Sequence, residues 1–467
     1  MKWCMNIAAI AKATNGEIRN LSGDEIVRNV VRDNREVDEG AVFAALRGEN
    51  NNGHNFVEDA VERGAVCCVV NKSEGDFGSL PVVAVDDTFK ALRDIGSFYR
   101  DKFNIPVVGI TGSVGKTSTK GMIASVMNQE FNTLKTESNY NNEVGVPLTL
   151  FRLNDDHEAA VIEMGMSGFG EISRLSSIVK PDTAVVTNIG ISHIEHLGSQ
   201  EGILKAKMEI LDGLSIDGAI ILNGDDPLLW SKNGELEYET LYFGIENKAC
   251  DVVATDIKLY SSGSEFTVRI DGVDYKFETN VPGEHHIYNA LAAILVGYRY
   301  NISIENMQKG VHDFAPEGMR QAQKKYDEFT VINDCYNACP DSMESGMGVL
   351  ALTANESKSD SRRVACLGDM LELGDAAPEA HYKVGLMCVD KNIDCLITIG
   401  EMAKNISRGA IDGGMNPDDI YEFDTGAEAI DKLSSIIRNG DVIWIKGSRG
   451  MRLEKIVEAL DKMGNKA

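Results

Sequence analysis

The glycine-rich stretch at residues 109–118 constrains the fold more than any other part of the sequence. It reads Gly-Ile-Thr-Gly-Ser-Val-Gly-Lys-Thr-Ser, follows the apolar run 105–110, and precedes apolar residues at helical spacing over 121–127. A strand, a glycine turn and a helix N-terminus in this order are typical of a phosphate-binding loop, the alternative being a glycine turn without a ligand. The Lys116 ammonium can reach terminal phosphates, and the Thr117 hydroxyl can ligate Mg²⁺. We therefore predict that nucleotide phosphates bind to Gly112, Ser113, Val114, Gly115, Lys116, Thr117 and Ser118.

Composition limits the classes of protein to which the chain can belong. With 467 residues, a prior of about 150 residues per domain gives about three domains. The net charge of −26 disfavours binding to nucleic acid or to an anionic membrane. No apolar run approaches the ~20 residues of a membrane span, and residues 1–6 lack a signal-peptide core. The nine cysteines contain no Cys-x-x-Cys pair, which favours free thiols and predicts a cytoplasmic protein without membrane insertion.

The first hundred residues predict a small α/β domain. Short apolar runs at 41–46, 67–70 and 82–85 have the length of strands, and helical segments lie between and after them. Polar residues occur at the predicted strand ends and loops, where they suit a polar ligand, although such residues are often only solvated. These candidates are Asn34, Arg35, Arg47 and His54.

Glu163 is the last residue of a predicted buried strand, Ala159–Glu163. Doubly wound sheets bind ligands at the carboxyl ends of parallel strands, so this carboxylate can face the phosphates with Mg²⁺ between them. The alternative is an ordinary surface glutamate. The stretch 136–147, between the glycine loop and this strand, is rich in amides and turn-forming residues, unlike a core segment.

Lys207 lies in the middle of an apolar helical stripe. At about 100° per residue, Ile203, Leu204, Met208, Ile210 and Leu211 share one face with it, whereas Lys205 and Glu209 lie on the other side. An unpaired buried ammonium is costly, so a lysine at this position is expected to be paired, neutral or modified. The alternative is a stem along the core with its ammonium in solvent.

The rest of the chain predicts a hairpin, a helix and a further sheet. Period-two alternation near 265–270 with Asp271-Gly272 predicts the hairpin, and the next helix could direct His285 or Asn289 at a base or ribose. Beyond a predicted hinge at 314–320, strands at 330–333, 364–367, 395–399 and 442–445 alternate with helices, which predicts a parallel sheet. This sheet lacks the Gly-x-Gly-x-x-Gly fingerprint of nicotinamide-binding domains. The basic side chains of Lys446, Arg449 and Arg452, which follow the last strand, could bind an anion; the alternative is that they are only solvated.

Taken together, these motifs resemble the Mur ligases of peptidoglycan synthesis over essentially the whole chain. Departures from the pattern are Val114 in the loop, His286 and Cys339 where asparagine is usual, and Asn34 where serine is usual. The shared pattern covers Thr111–Ser118, Asn139–Pro147, Glu163, His193, Ala206-Lys207, His285, Asn289 and Arg320.

Within that family, the stretches 334–343, 367–374 and 446–453 resemble the member that adds D-alanyl-D-alanine, and 33–54 is similar to its uridine-diphosphate-binding domain. The resemblance implies that ATP phosphorylates the terminal carboxylate of a UDP-N-acetylmuramoyl-tripeptide. The amine of D-alanyl-D-alanine then attacks the acyl phosphate, and amide and phosphate are released. It leaves open whether the third peptide residue is lysine or diaminopimelate.

The resemblance also implies the roles of individual residues. Lys116, His193 and Lys207 would be catalytic, with Thr117 and Glu163 on one Mg²⁺ and His193 with a carbamylated Lys207 on a second. Further ATP contacts would come from Asn289, Arg320 and Asp334. The substrates would contact Asn34, Arg35, Arg47, His54, Asn139, Asn142, Tyr336, Asn337, Lys446, Ser448 and Arg449.

The implied architecture is α/β throughout, in three domains. Residues 1–103 would bind the UDP substrate, 104–316 would form a central ATP-binding parallel sheet, and 317–467 a Rossmann-like domain in a monomer. Other ligases of the superfamily are the nearest alternatives, but the Asp-Asn-Pro-Arg signature expected of the diaminopimelate-adding enzyme is not found, and folylpolyglutamate synthetase does not share the first domain. A GTP-dependent switch would need Asn-Lys-x-Asp, and residues 247–250 read Asn-Lys-Ala-Cys.

Overall fold

The computed structural model describes residues 5–357 and 361–465. Residues 1–4, part of the stretch expected to lack a signal peptide, lie outside it. The described chain forms two compact units. The first contains the described residues up to Thr111, with Glu130–Val185 and Met208–Ile220; the second contains Gly112–Gln129, Val186–Lys207 and the described residues from Ile221 onward. Both units mix helices with strands, and the predicted α/β class is confirmed.

The strands are short in the first hundred residues and longer beyond them. Up to residue 186 they are β1 (Met5–Asn6), β2 (Glu17–Arg19), β3 (Ile26–Val27), β4 (Asn29–Val31), β5 (Ala41–Ala44), β6 (Cys67–Asn71), β7 (Val82–Val85), β8 (Val107–Thr111), β9 (Thr133–Lys135), β10 (Ala159–Glu163) and β11 (Thr183–Val186). The later strands are β12 (Ala219–Asn223), β13 (Glu239–Gly244), β14 (Val252–Tyr260), β15 (Gly263–Ile270), β16 (Val273–Thr279), β17 (Ala322–Lys325), β18 (Thr330–Asp334), β19 (Arg363–Gly368), β20 (Cys395–Ile399), β21 (Ile420–Phe423) and β22 (Val442–Lys446).

The α-helices lie between these strands. They are α1 (Ile7–Thr14), α2 (Val57–Glu62), α3 (Thr88–Arg100), α4 (Lys116–Met127), α5 (Gly145–Leu150), α6 (Glu171–Val179), α7 (Ile194–Leu197), α8 (Gln200–Met208), α9 (Pro227–Trp230), α10 (Glu284–Arg299), α11 (Ile304–His312), α12 (Pro340–Asn355), α13 (Ala377–Asp390), α14 (Lys404–Asp412), α15 (Gly426–Ile436) and α16 (Glu454–Gly464). Short 3-10 helices occupy Asn34–Glu36, Gly53–Phe56, Lys72–Glu74, Glu209–Gly213, Gly374–Ala376, Pro417–Asp419 and Arg449–Met451. In the described residues no helix is long and apolar enough to cross a membrane.

The first unit contains the predicted sheet of the first hundred residues. Its strand order is β2-β7-β6-β5-β4, with parallel pairing from β7 to β4 and β2 antiparallel at the edge. All residues of β5 and β7 are buried, as expected for strands covered on both faces. The same unit contains β11-β8-β10-β9, in which β10 pairs in parallel with both neighbours and ends at Glu163.

In the second unit, α4 packs against α10 and α11. The predicted hairpin is confirmed: Ile270 pairs with Val273, and the two turn residues Asp271 and Gly272 have φ of 50° and 80°. Positive φ at both positions is the type I′ geometry that matches the twist of the flanking strands.

The second unit ends in a sheet of order β17-β18-β22-β19-β20-β21, with hydrophobic clusters on both faces. Its five strands from β18 to β21 are parallel; four of them, β18, β19, β20 and β22, are the predicted strands, whereas β21 is not predicted. The sequence does not predict β17, which pairs antiparallel at the edge. Its residues Ala-Gln-Lys-Lys are all exposed, so they carry no apolar pattern, and edge lysines of this kind discourage pairing with another chain.

Candidate functional site

The predicted phosphate loop forms a turn that opens α4. Gly115 lies just before the helix with φ of 82°, and no side chain caps the helix at this residue. The Lys116 ammonium donates hydrogen bonds to the carbonyl oxygens of Gly112, at 2.7 Å, and Ser113, at 3.2 Å. Helix N–H groups without a side-chain cap, beside a folded-back ammonium, provide a site for an anion.

Thr187 and Asn188, which sequence reasoning did not single out, fix the shape of this loop. The backbone N–H groups of Ser113 and Val114 donate to the main-chain and side-chain oxygens of Asn188, at 3.0 and 2.8 Å. The Thr187 hydroxyl donates to the Val114 carbonyl at 2.6 Å. A Cβ on Gly112 would lie 1.8 Å from that hydroxyl oxygen, so this position requires glycine. Both residues directly follow the buried strand β11, and this position in the sequence could have identified them as candidates.

Lys207 is buried, as its place on the apolar stripe predicts. Its exposed fraction is 2%, whereas Lys205 on the same helix is exposed. Helix α8 ends one residue later, and the chain continues as a 3-10 helix instead of the single helix that the stripe suggested. Burial lowers the pKa of Lys207 well below its ordinary value, and the nearby Lys116 lowers it further. Within residues 5–357 and 361–465, no carboxylate forms an ion pair with this amine, so burial and the nearby Lys116 both favour its uncharged form.

His193 lies close to the same two lysines. Burial is the largest cause of its lowered pKa; Lys116 and Lys207 lower it further, and the Glu372 carboxylate opposes them. Its Nδ1 lies 2.9 Å from Oε2 of Glu372, but the two groups are not aligned for a hydrogen bond. The second unit thus brings together three predicted catalytic groups: Lys116, His193 and Lys207.

Three further predicted nucleotide contacts, Thr117, Ser118 and Asn289, lie in or against the start of α4. Thr117 is buried and Ser118 half-buried in the first turn of α4. The Asn289 side chain accepts a hydrogen bond from the Thr119 hydroxyl at 2.8 Å, and its amide nitrogen lies 3.2 Å from Nδ1 of His286. Asn289 therefore ties α10 to α4, and its predicted nucleotide contact stays a prediction.

Glu163 lies in the first unit, at the end of β10. The side chain is 2% exposed, and its Oε1 accepts a hydrogen bond from the Asn141 amide at 2.8 Å. The Thr136 hydroxyl accepts its backbone N–H at 2.9 Å. Asn139 is exposed, and Asn142 uses its side-chain oxygen to accept the Gly145 N–H at the start of α5. Carboxylate oxygens are ligands that Mg²⁺ prefers.

The four polar candidates of the first hundred residues already have partners within the protein. Arg35 pairs with Asp33 at 2.6 Å and Arg47 with Glu74 at 2.8 Å; their side chains are 79% and 71% exposed. Asn34 donates to Asp59 at 2.7 Å. Burial lowers the pKa of His54, whose Nε2 accepts the backbone N–H of Asn71. A ligand would have to exchange with these partners.

Arg320 and Tyr336, predicted for different ligands, are in contact. The Arg320 guanidinium lies over the Tyr336 ring, 3.9 Å from its centroid, and both side chains are half-buried. The neighbouring Asn337 is exposed. Because a guanidinium stacked on an aromatic face keeps its N–H groups available in its plane, this pair can still bind an anion.

Asp334 and Lys446, also predicted for different ligands, form a buried ion pair. They are directly paired residues at the ends of the parallel strands β18 and β22. The Lys446 ammonium donates to Oδ2 of Asp334 at 2.8 Å, and the Trp444 indole N–H lies 3.4 Å from the same oxygen. A ligand contact of either residue has to use a donor or acceptor that this pair leaves unoccupied, or the pair has to open.

Ser448 and Arg449 follow β22 and differ in exposure. The buried Ser448 hydroxyl accepts the backbone N–H of Leu371 at 2.9 Å. Arg449 is 57% exposed and lies 3.2 Å from Glu454. Ser448 is therefore used in packing two loops together, whereas Arg449 faces solvent.

The donor atoms at these positions fit magnesium better than a transition metal. In the part of the chain that the structure describes, no group of three His, Cys, Asp or Glu side chains forms a metal site. Mg²⁺ retains several waters and uses one or two protein oxygens together with substrate phosphates. The Glu163 carboxylate and the Thr117 hydroxyl are such oxygens.

Three domain families match successive parts of the chain. They are the Mur ligase family catalytic domain over residues 27–94, the Mur ligase middle domain over 110–297, and the Mur ligase glutamate ligase domain over 319–449.

Similar proteins match the chain over nearly its full length. UDP-N-acetylmuramoyl-tripeptide–D-alanyl-D-alanine ligase of Bacillus subtilis is 36% identical, with 97% of each chain covered. The ligase of that name from Escherichia coli is 32% identical, covering 98% of this chain and 99% of its own. Among solved structures, MurF from Acinetobacter baumannii matches with a TM-score of 0.88 at 28% identity, covering 98% and 99%. MurF from Thermotoga maritima in complex with ADP matches with a TM-score of 0.83 at 25% identity, covering 94% and 98%.

Proposed function

Because the chain belongs to the Mur ligase family, we propose that it joins D-alanyl-D-alanine to UDP-N-acetylmuramoyl-tripeptide at the expense of ATP. The observation that carries this proposal is the full-length match to relatives with that name, together with Lys116, His193 and Lys207 in one place. Folylpolyglutamate synthase and the diaminopimelate ligase match at 17% and 16% identity, which supports a shared fold alone.

The proposed reaction has two steps, both involving crowded anions. The γ-phosphoryl group of ATP passes to the terminal carboxylate of the tripeptide, forming an acyl phosphate and ADP. The amine of D-alanyl-D-alanine then attacks the acyl carbon, loses a proton and displaces inorganic phosphate. Charge neutralisation and positioning are the main tasks of the protein in such chemistry. The Lys116 ammonium and the N–H groups at the start of α4 would perform the first task.

We infer that the protein binds two Mg²⁺ ions with ATP. Thr117 and Glu163 would contact one, and His193 with Lys207 the other. The ions would supply positive charge to phosphate and acyl phosphate oxygens. Asn289 and Arg320 would contact the nucleotide, and Asp334 its ribose once the ion pair with Lys446 opens.

Lys207 would bind metal as a carbamate. Its buried, neutral amine can attack CO₂, forming an N–C bond and releasing one proton, so that a base becomes an anionic oxygen ligand. Burial and the absence of a carboxylate partner among the described residues favour this change, because the carbamate pairs with the neighbouring positive charge.

The peptide substrates would contact polar residues from several regions. These are Asn34, Arg35, Arg47, His54, Asn139, Asn142, Tyr336, Asn337, Lys446, Ser448 and Arg449. We also propose domains 1–103, 104–316 and 317–467, a monomer, and a cytoplasmic location. The eight described cysteines are unpaired thiols, as a reducing compartment would keep them.

A phosphate-release assay tests the function. ATP, Mg²⁺ and either the lysine- or the diaminopimelate-containing tripeptide are supplied with and without D-alanyl-D-alanine. We expect release that depends on the dipeptide and prefers one tripeptide. Release from GTP that is independent of both peptides would instead indicate a nucleotide switch.

A further inference from the structure

His193 and Glu372 face each other with unusual backbone geometry on both sides. Each has positive φ, 62° at His193 and 63° at Glu372, in the left-handed region that residues other than glycine rarely adopt. Such conformations persist only when surrounding contacts require them, and they concentrate at functional sites. The backbone is constrained at both residues, and Nδ1 of His193 lies 2.9 Å from Oε2 of Glu372.

The Glu372 loop, residues 370–376, is fixed from behind by two other side chains. The buried His381 ring accepts the backbone N–H of Met370 at its Nε2, at 2.9 Å, and its Nδ1 lies 2.6 Å from the Ala377 carbonyl. The Ser448 hydroxyl accepts the N–H of Leu371 at 2.9 Å. Hydrogen bonds thus anchor Met370 and Leu371, and the next residue, Glu372, has the strained backbone and carries the carboxylate.

A second contact joins the same two segments. Helix α7, which starts immediately after His193, packs against the 3-10 helix Gly374–Ala376. A Cβ on Gly374 would lie 3.1 Å from Cγ of Glu195, and Gly374 itself has φ of 51°. The approach of His193 to Glu372 is therefore part of a packed surface, rather than an isolated contact of two long side chains.

The Nδ1 atom of His193 has no other use in the described residues. It is buried without a hydrogen-bond partner, and the Glu372 oxygen is the carboxylate within ion-pair distance of it. A neutral imidazole carries one N–H and one lone pair, so a carboxylate that accepts the N–H fixes the lone pair on the other nitrogen. Histidines that bind metal are oriented in this way by carboxylates.

We propose that Glu372 is a positioning residue for His193. A rotation of either side chain from the present 2.9 Å contact would let Glu372 accept a hydrogen bond from Nδ1–H. That bond assigns the lone pair to Nε2 and sets the ring orientation in which His193 contacts the second Mg²⁺. This inference rests on the proposed function, because it takes His193 as a ligand of that ion. It also means that the second metal site is complete only when the Glu372 loop lies against α7.

The test is Mn²⁺ binding to the full chain in the presence of a non-hydrolysable ATP analogue, followed by electron paramagnetic resonance. Glu372→Gln keeps the side-chain shape and removes the anionic acceptor. We expect about a tenfold weaker Kd for one of the two Mn²⁺ ions. Glu379→Gln, at an exposed residue of the following helix that forms an ion pair with Lys383, is the matched control and should bind like wild type. Wild-type affinity in Glu372→Gln would overturn the proposal.

A double variant separates positioning from a direct metal contact. If Glu372 acts through His193, Glu372→Gln combined with His193→Ala should bind Mn²⁺ no more weakly than His193→Ala alone. A further loss in the double variant would contradict the proposal.

In turnover assays, Glu372→Gln should raise the Mg²⁺ concentration needed for half-maximal rate, with kcat restored at high Mg²⁺ and the KM for D-alanyl-D-alanine unchanged. Should wild type lack dipeptide-dependent turnover, the proposed function fails, and the Mn²⁺ titration still tests Glu372.

Discussion

Two regions of the second unit each bury a lysine, and they compensate its charge in opposite ways. Lys446 lies at the end of β22 beside Asp334, which accepts its hydrogen bond at 2.8 Å. Lys207 lies on α8, equally buried, with a second lysine as its charged neighbour. The first arrangement gives the ammonium an anionic partner that fixes its position. The second lowers the pKa of the amine and so favours its nucleophilic, uncharged form.

This contrast distinguishes a structural lysine from a reactive one without reference to any relative. Removing one partner of a buried pair leaves the other charge uncompensated, so loss of Lys446 should lower stability in addition to any effect on its proposed substrate contact. A buried amine without a carboxylate partner among the described residues gains no ion-pair energy in exchange for its desolvation. Lys207 should therefore matter chiefly for activity. The predictions below test that separation.

The largest expected effect is on turnover. Lys207→Ala should lower dipeptide-dependent phosphate release by about a thousandfold or more, because a metal ligand is lost next to the transferring phosphoryl group. Short-chain carboxylates such as acetate should restore part of the rate by occupying the carbamate position. Lys205→Ala, an exposed change on the same helix, should leave the rate unchanged. Near-wild-type turnover of Lys207→Ala without added carboxylate would contradict the carbamate proposal.

Lys446→Met should destabilise the C-terminal sheet by about 3–5 kcal/mol, because Asp334 remains buried without its partner. Trp444 contacts the same carboxylate, so its fluorescence reports on this region when Trp3 and Trp230 are replaced by Phe. Urea unfolding of that variant gives the transition to compare. Adding Asp334→Asn should recover most of the lost stability; if it does not, the ion pair is not the cause.

Lys207→Met should raise the free energy of unfolding at pH 7 by about 1–3 kcal/mol in CO₂-free buffer, since methionine avoids the desolvation cost of the buried amine. Folding of wild type releases the Lys207 proton, because the folded pKa is lowered and the unfolded one is not. Wild-type stability therefore rises with pH up to the unfolded pKa. The advantage of Lys207→Met should shrink between pH 7 and pH 9.5 in urea titrations. A constant difference would mean that Lys207 stays protonated in the folded protein.

The smallest effect on the free energy of unfolding is expected for the exposed ion pair between Arg47 and Glu74. Arg47→Ala removes an ion pair whose arginine is 71% exposed, so the free energy of unfolding should change by less than about 1 kcal/mol. If Arg47 contacts the UDP substrate, the same variant should raise the KM for that substrate. Glu74→Gln is the matched control, because it frees Arg47 while keeping its charge.

The sequence was most informative where one residue contradicted its surroundings. The strands, the hairpin and the phosphate loop follow from local apolar patterns and turn chemistry, and the burial of Lys207 follows from its neighbours on one helical face. The Asp334–Lys446 pair could not be derived in this way, because it depends on the register between strands about 110 residues apart. The approach of Glu372 to His193 depends in the same manner on tertiary packing, and β17 carries no apolar signal.

The contact between Gly112 and the Thr187 hydroxyl has a consequence for how this loop can vary. A methyl group at residue 112 has no space while Thr187 is present. A smaller residue at 187 would open that space but lose the hydrogen bond to Val114 that shapes the loop. Residue 112 can therefore change only if residue 187 changes as well, and a joint change that removes the hydroxyl alters the loop itself. In a library that randomises both, few combinations should survive selection for ligation, even among variants that fold.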